Sequence, residues 1–138
     1  MAGVTQKLKI YLIILILIVG CDSAKVHQVG EAVPANRATR IKEVLDRPSV
    51  FLEQRVVLSG RAGQVCQHMG CWFVLQDSTQ HILIDLEQGR TITVPRNISG
   101  DSLRVVGVVK RIAGDLRLMG KGVEIHRKRA KIWSFFNL

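Results

Sequence analysis

The chain has 138 residues, of which 47% are hydrophobic, and it carries a formal net charge of +9 at pH 7. This length suits one domain of the usual size, and a second globular domain does not fit. A basic surface attracts nucleic acid, anionic lipid or an acidic partner, and charge by itself does not separate these.

The N-terminus predicts a secretory signal. Lys7 and Lys9 precede an unbroken apolar run, Ile10–Val19, which is followed by Gly20 and Cys21. Ten apolar residues are about half of the roughly 20 that a helix needs to cross a bilayer, so a signal segment is favoured over a membrane span. The alternative is an uncleaved N-terminal anchor with an incidental cysteine.

The end of this run, Ile18-Val19-Gly20-Cys21, resembles the bacterial lipobox. The resemblance implies that residues 1–20 are removed and that Cys21 is acylated, which tethers the protein to a membrane on its extracytoplasmic side. Removal leaves 118 residues and lowers the net charge to +7, because it takes two lysines and no acidic residue. Asp22 resembles the signal that keeps lipoproteins of enteric-type bacteria in the inner membrane, and the outer membrane stays open as an alternative.

Residues 21–38 predict an acylated, flexible tether, because the segment lacks apolar periodicity and contains Gly30 and Pro34. A short edge strand fits around Val29–Val33. The globular domain is expected over residues 39–126.

A short amphipathic helix is predicted to begin after Thr39, whose side chain would cap it. Its apolar residues follow the i, i+3 and i+4 spacing of one helix face: Ile41, Val44 and Leu45. Pro48 then ends the helix or opens a second short turn that carries Phe51 and Leu52.

Five strands are predicted from hydrophobic alternation and from the turn residues between them: Arg55–Cys66, Cys71–Gln76, His81–Leu86, Leu103–Ile112 and Leu116–Ile125. The first strand is long and contains Gly60 and Gly63, which suit a sharp bend. A curled first strand and a longer connection between the third and fourth predict an all-β fold, a five-stranded OB-like Greek-key barrel with a short N-terminal helix. A small sandwich with the same strand order is the alternative.

Two stretches of the chain resemble a known family. The runs Val65–Phe73 (VCQHMGCWF) and Val94–Gly100 (VPRNISG), with the VVGVV strand that follows, are similar to a family of small exported bacterial domains of unknown function with a VCQxxGCW signature. The match covers about residues 40–125 and implies an exported, OB-like domain without implying an activity. His68 and Met69 stand where the family often carries lysines.

Cys66 and Cys71 are the cysteines that remain once Cys21 is acylated, and two cysteines in an oxidising compartment predict a disulfide. Across a four-residue loop between adjacent antiparallel strands, their Cα atoms would lie roughly 4.5 to 5.5 Å apart, which a disulfide accepts. Closing so short a loop contributes about 2 kcal/mol in the chain-entropy model, so the bond would mainly hold the shape of the hairpin.

The same loop has the composition of a metal or redox site. Two thiols, an imidazole and a thioether lie within six residues: Cys66, His68, Met69 and Cys71. These groups suit Cu(I), or Zn(II) if His81 completes the set. The four-residue spacing argues against a metal, because it is not the CxxC of common zinc or thiol-exchange sites. A reversible disulfide also stays open.

Trp72, next to the cysteines, is a candidate platform for a ligand or partner, and the alternative is that it packs against the disulfide. His81 and Asp85 lie on the same face of their strand. Two polar residues on one face usually indicate that the face is exposed to solvent. The sequence contains no Ser-His-Asp or Cys-His-Asn arrangement, no phosphate-binding glycine loop and no suggestive pair of carboxylates. An enzyme is therefore not predicted.

The C-terminal tail, residues 127–138, joins cations to apolar side chains. Membrane contact is predicted for Arg127, Lys128, Arg129, Lys131 and Trp133. Alternatively, the tail's aromatic residues fold back over an open end of the barrel. A nucleic-acid patch is a third interpretation, which export disfavours.

Together these features predict a membrane-tethered envelope lipoprotein whose non-enzymatic, OB-like domain binds a small ligand or an envelope protein partner near Trp72. The alternative is a metal-binding or thiol-redox accessory protein that acts through Cys66 and Cys71. Copper or zinc would be a cofactor under that alternative.

Overall fold

A six-stranded sheet dominates the structure, a computed structural model that describes residues 2–17, 25–86 and 92–127. In chain order, the elements are α1 (Ala2–Leu17), β1 (Val26–Gly30), α2 (Ile41–Asp46), α3 (Pro48–Phe51), β2 (Arg55–Val65), β3 (Trp72–Gln76), β4 (His81–Asp85), β5 (Ser102–Ile112) and β6 (Asp115–His126). Each of the five predicted strands begins and ends within one residue of an observed strand, β2 to β6. The mostly β fold with a short helix before these strands is therefore confirmed.

The strand pairings form a ring. β2 pairs with β3 and with β5, β3 pairs with β4, and β5 pairs with β6, all antiparallel. The ring is completed by a parallel pairing of β4 with β6, which covers only Leu83–Asp85 against Arg117–Met119. β5 and β6 pair along their whole lengths, so the ring is not closed evenly.

The core lies inside this ring because alternate strand residues point inward. Phe73 and Leu75 of β3 are fully buried, as are Ile84 of β4 and Leu118 of β6. In β4, Ile82 and Ile84 are buried, whereas His81 is exposed and Asp85 is half-buried, so the face that carries His81 and Asp85 is the outer one, as expected. α2 covers the core with two fully buried side chains, Ile41 and Val44.

The helix begins differently from the prediction. Arg40, not Thr39, is the N-cap residue of α2, and its side chain forms no capping hydrogen bond. Thr39 instead donates its backbone N–H to the carbonyl oxygen of Val57 at 2.7 Å and bridges to Leu58. Thr39 therefore pairs with β2 and does not cap α2, as the sequence had predicted it would. The second turn is confirmed, because α3 begins at Pro48.

The segment predicted as a flexible tether contains a strand. β1 pairs antiparallel with the last residues of β6, outside the ring, and begins three residues earlier than the edge strand expected at Val29–Val33. Just after β1, Glu31 donates its N–H to the carbonyl oxygen of Lys121 and pairs with Arg55 at 2.5 Å. Residues 26–30 thus form a strand because they pair with β6, although their own sequence lacks a strong strand pattern.

α1 spans 16 residues, and across the described part of the chain we find no helix with the length and apolarity needed to span a membrane. The predicted cleavage site, Cys21 and Asp22 lie outside the described residues. The same holds for four of the five residues expected to touch a membrane: Lys128, Arg129, Lys131 and Trp133.

Candidate functional site: the cysteine loop

Residues 66–71, the cysteine loop, connect β2 to β3. Cys66 follows the last residue of β2 and is buried, whereas Cys71 precedes β3 and is half-buried. The Cys66 N–H donates to the carbonyl oxygen of Trp72 at 3.0 Å, and the Gly70 N–H donates to the carbonyl oxygen of Cys66 at 3.1 Å. These bonds hold the two ends of the loop together, and the two cysteine side chains face each other.

The two sulfur atoms are in contact without being bonded. The Cys71 thiol donates a hydrogen bond to the Cys66 sulfur at 3.5 Å, and both cysteines are free thiols. A disulfide would bring the sulfurs to about 2.0 Å. The structure therefore presents the dithiol form, and the predicted disulfide stays a prediction for the oxidised protein.

Backbone amides of the loop favour a thiolate at Cys66. The pKa of Cys66 is lowered from an ordinary value of 9.0 to about 6, mainly by the N–H of Met69 and then by the N–H of Cys71. The Cys71 thiol and the N–H of His68 lower it further, while burial opposes them. Amides that point at one sulfur form a cradle for negative charge, and a thiolate is the reactive form of cysteine.

The second cysteine is shifted the other way. The pKa of Cys71 is raised, first because its thiol donates to Cys66 and next because it is partly buried. The carboxylate of Asp85 adds a smaller increase. The two opposite shifts favour a thiolate on Cys66 and a protonated thiol on Cys71. This division of roles is not visible in the sequence, where the two cysteines are equivalent.

Two neighbouring segments, the end of β4 and residues 94–96, brace the loop. The Val94 N–H donates to the carbonyl oxygen of Gly70 at 3.0 Å, and the Leu86 N–H donates to the carbonyl oxygen of Cys71 at 3.0 Å. Arg96 donates through Nη1 to the carbonyl oxygen of Gln67 at 3.1 Å, and Gln67 donates through Nε2 to that of Arg96 at 3.2 Å. The amides that face Cys66 are thus held in place from outside the loop.

Sequence reasoning did not identify this brace. Its one available signal was the predicted resemblance, which rested both on the stretch that contains Val94 and Arg96 and on the cysteine loop. Nothing in the spacing of about 25 residues indicated that the two stretches touch.

The predicted metal set is not assembled as a whole. Trp72 pairs with Asp85 and Gln76 pairs with His81, so His81 lies at the far end of the β3–β4 hairpin. Four residues of strand place it roughly 13 Å from the end that carries the cysteines. The structure therefore does not bring His81 to the cysteine loop. Within residues 2–17, 25–86 and 92–127, no three His, Cys, Asp or Glu side chains group as a metal site.

The remaining predicted residues lie in the cysteine loop or directly after it. His68 and Met69 are exposed at the tip of the loop, with 53% of Met69 accessible. Trp72 is half-buried at the start of β3, directly after Cys71. The imidazole and the thioether are therefore accessible to a partner that contacts the tip of the loop.

Arg127 is the one tail residue that the structure describes. Its Nη2 donates to Oδ1 of Asn97 at 3.2 Å, and its Nε lies 3.7 Å from a carboxylate oxygen of the buried Asp101. The side chain therefore fastens the end of β6 to the β4–β5 connection, a role the sequence did not predict for it.

No protein-family model matches the chain, and no curated protein matches it. Among solved structures, the hypothetical protein ygiW from E. coli is similar, with a TM-score of 0.46 and 18% identity over 70% of this chain and 97% of that one. A putative aspartyl-tRNA synthetase from Leishmania major Friedlin is similar, with a TM-score of 0.47 and 14% identity over 73% of this chain and 23% of that one. This chain thus spans less than a quarter of the synthetase. Likenesses of this degree carry no functional argument.

Proposed function

We propose that the protein is a lipid-anchored envelope protein whose OB-like domain carries a thiol–disulfide redox pair, Cys66 and Cys71. The lipid anchor is Cys21 and the compartment is extracytoplasmic, as the lipobox resemblance implies. Of the two functions considered from the sequence, the geometry of the cysteine loop favours the redox function over simple binding.

The OB-like assignment is supported by strand order. Around the ring the strands follow the order β2, β3, β4, β6, β5 and return to β2. Numbered from the first strand of the ring, this is the order 1-2-3-5-4, with the single parallel pairing between the third and fifth strands. An OB fold is a five-stranded, partly open Greek-key barrel, and the uneven closure agrees with that description.

The observation that carries the redox function is the contact between the sulfurs. A thiol 3.5 Å from a sulfur that three loop amides favour as a thiolate has the geometry of a nucleophile with its resolving partner. A cysteine pair that served only as a structural staple would have no need to stabilise a thiolate. Stabilising the thiolate also favours the reduced form, which makes the corresponding disulfide more oxidising.

The proposed exchange is balanced in atoms and electrons. The Cys66 thiolate attacks one sulfur of a disulfide on a partner protein, which forms a mixed disulfide and releases a partner thiolate. Cys71 then loses its proton to solvent and attacks the Cys66 sulfur, which forms the Cys66–Cys71 disulfide and releases the second partner thiolate. The partner disulfide is reduced to two thiols, and the pair is oxidised by two electrons. The reverse exchange, in which the Cys66–Cys71 disulfide oxidises two partner thiols and returns to the dithiol, is the direction that the stabilised Cys66 thiolate favours.

Binding without chemistry is the second candidate, and the exposed apolar groups at the loop favour it. Met69 is more than half exposed in the loop, and Trp72 is half-buried directly after it. Such groups suit contact with a small ligand or an envelope protein partner. Binding through them would persist when both cysteines are replaced by serine, whereas exchange would not.

A redox titration separates a working pair from a staple. The purified protein, kept in mild detergent, is equilibrated in glutathione buffers of known potential, and the Cys66–Cys71 disulfide is quantified by alkylation and peptide mass. We expect a midpoint above about −300 mV, since structural disulfides usually lie below that value. A lower midpoint, or no disulfide at any potential, would contradict the redox function. The Cys66→Ser variant is the control that cannot form the bond.

A further inference from the structure

A groove of about 620 Å³, whose surface is mostly apolar but which several polar side chains border, lies apart from the cysteine loop. Its polar lining residues include Ser59, Arg61, Ser78, Ser102, Arg104 and His126. Arg61 precedes Cys66 by five residues, which corresponds to roughly 16 Å of strand. The groove is therefore a second, separate feature of the same barrel.

Strand register builds the floor of this groove. Arg61 of β2 lies opposite Ser102 of β5, and Ser59 of β2 lies opposite Arg104 of β5. Each of these two cross-strand pairs thus contains one arginine and one serine. The arginine belongs to β2 in one pair and to β5 in the other, so the two arginines are diagonal neighbours. Diagonal neighbours of this kind lie about 7 to 8 Å apart, within reach of long side chains. The two guanidinium groups can therefore approach one small ligand together.

Backbone carbonyl groups orient both guanidinium groups. Arg104 donates through Nη2 to the carbonyl oxygens of Pro34 and Asn36, at 2.9 and 2.7 Å. Arg61 donates through Nη1 to the carbonyl oxygen of Gly100 at 3.3 Å. A guanidinium has five N–H groups, so these bonds position each group and leave further donors for a ligand.

The charge of the groove is positive where the arginines lie. Among the described residues, no carboxylate lies within ion-pair distance of Arg61 or Arg104. Asp77 also lines the groove, but its Oδ1 accepts the N–H groups of Thr79 and Gln80 and caps the β3–β4 turn. The groove therefore offers two oriented cations and serine hydroxyl groups, and its one carboxylate, Asp77, is engaged by the backbone of the turn.

We propose that this groove binds the phosphate group of a small anionic molecule. Guanidinium groups pair with phosphate through parallel hydrogen bonds, and serine hydroxyl groups donate to the remaining oxygens. The volume lies within the range of small-molecule sites, and the basic domain favours an anion. The phosphate belongs either to a soluble phosphoester or to a lipid headgroup next to the anchored protein.

Binding is tested on the full chain in uncharged detergent by calorimetric titration with glycerol 3-phosphate, and on vesicles that contain phosphatidic acid. Arg61→Gln is the main variant, because Arg61 is exposed and makes one long bond to the backbone. Arg104→Lys keeps the charge and removes the planar fork. Arg111→Gln is the matched control, since Arg111 is also exposed and also donates to one carbonyl oxygen, that of Gly114 at 3.1 Å, in the distant β5–β6 turn.

We expect Arg61→Gln to weaken binding at least about tenfold, Arg104→Lys to weaken it as well, and Arg111→Gln to leave it unchanged. This pattern with glycerol 3-phosphate identifies a soluble source, and the same pattern with vesicles alone identifies a lipid source. Binding of neither probe overturns the proposal. So does an equal loss in Arg61→Gln and Arg111→Gln, because that result would reflect net charge alone.

Discussion

The backbone of Val94 leaves room for a hydrogen atom at Gly70 and for nothing larger. The Val94 N–H donates to the Gly70 carbonyl oxygen at 3.0 Å, and the carbonyl oxygen of Val94 occupies the space that a Cβ atom on Gly70 would need. Gly70 also has a φ of +65°, a region that side chains rarely adopt. One glycine therefore couples the cysteine loop to the segment that braces it.

Replacing Gly70 by alanine should destabilise the domain by more than its backbone conformation alone explains. Gly114 offers a matched control, because its φ is +91° and nothing lies within 4 Å of the place that a Cβ atom would take there. We expect Gly114→Ala to cost about 1 kcal/mol and Gly70→Ala to cost about 1 to 3 kcal/mol more, from overlap with backbone atoms. Denaturant unfolding measures both, and equal losses would contradict the close approach of Val94.

The reduced protein should titrate with a midpoint near pH 6 at Cys66, because loop amides and the Cys71 thiol favour its thiolate and lower its pKa. Ultraviolet absorbance of the thiolate follows this titration. Cys71→Ala removes the thiol donor and should raise the midpoint, whereas Cys71→Ser keeps a hydroxyl donor and should raise it less. The low midpoint must disappear in Cys66→Ser. A midpoint in the parent protein near the ordinary value of 9.0 would exclude the amide cradle.

The same shift links stability to pH. The folded pKa of Cys66, about 6, lies below its ordinary value of 9.0, so between these values the unfolded chain binds more protons than the folded one. The free energy of unfolding contributed by Cys66 is therefore complete above about pH 9 and is lost as the pH falls through about 6. We expect the reduced protein to gain stability from about pH 6 to about pH 8.5 relative to Cys66→Ser. A constant difference between the two proteins across that window would show that the shift is absent.

Lipid attachment is predicted to depend on Cys21. Cys21→Ala should yield a precursor that is processed abnormally and carries no lipid, because the thiol that would be acylated is missing. Metabolic labelling with a radioactive fatty acid, in a bacterial host that processes lipoproteins, measures the lipid attached to each variant. Cys66→Ala is the control, since a cysteine within the folded domain should not affect labelling. Equal labelling of Cys21→Ala and the parent protein would refute the lipoprotein prediction.

The tail is predicted to add membrane affinity to that of the acyl anchor, because each cation near an anionic surface contributes roughly 1 kcal/mol. Arg127 fastens β6 to Asn97 and Asp101, so the informative truncation removes residues 128–138 and keeps Arg127. We expect the truncated, non-acylated protein to lose salt-sensitive binding to anionic vesicles with little change in melting temperature. A large fall in melting temperature would show instead that the tail covers the barrel.

Hydrophobic alternation and turn residues were sufficient to predict the mostly β fold and the five ring strands to within one residue. Local chemistry determines these features, since a strand that buries one face must alternate and a hairpin needs residues suited to its turn. The sequence also singled out Cys66 and Cys71 by their spacing. It placed the edge strand β1 three residues too late, because the position of β1 comes from its pairing with β6, and it could not reject Thr39 as a helix cap.

Only the tertiary structure decided what the cysteines can do. From the sequence alone, Cys66 and Cys71 were equivalent, and His81 was a candidate to bind the same metal ion as the two cysteines. The register of β3 against β4 carries His81 to the opposite end of the hairpin. The cradle around Cys66 depends on amide directions, which are set by the turn and by the bonds from Val94 and Arg96. Such directions arise from contacts between distant parts of the chain, and residue types and spacing do not encode them.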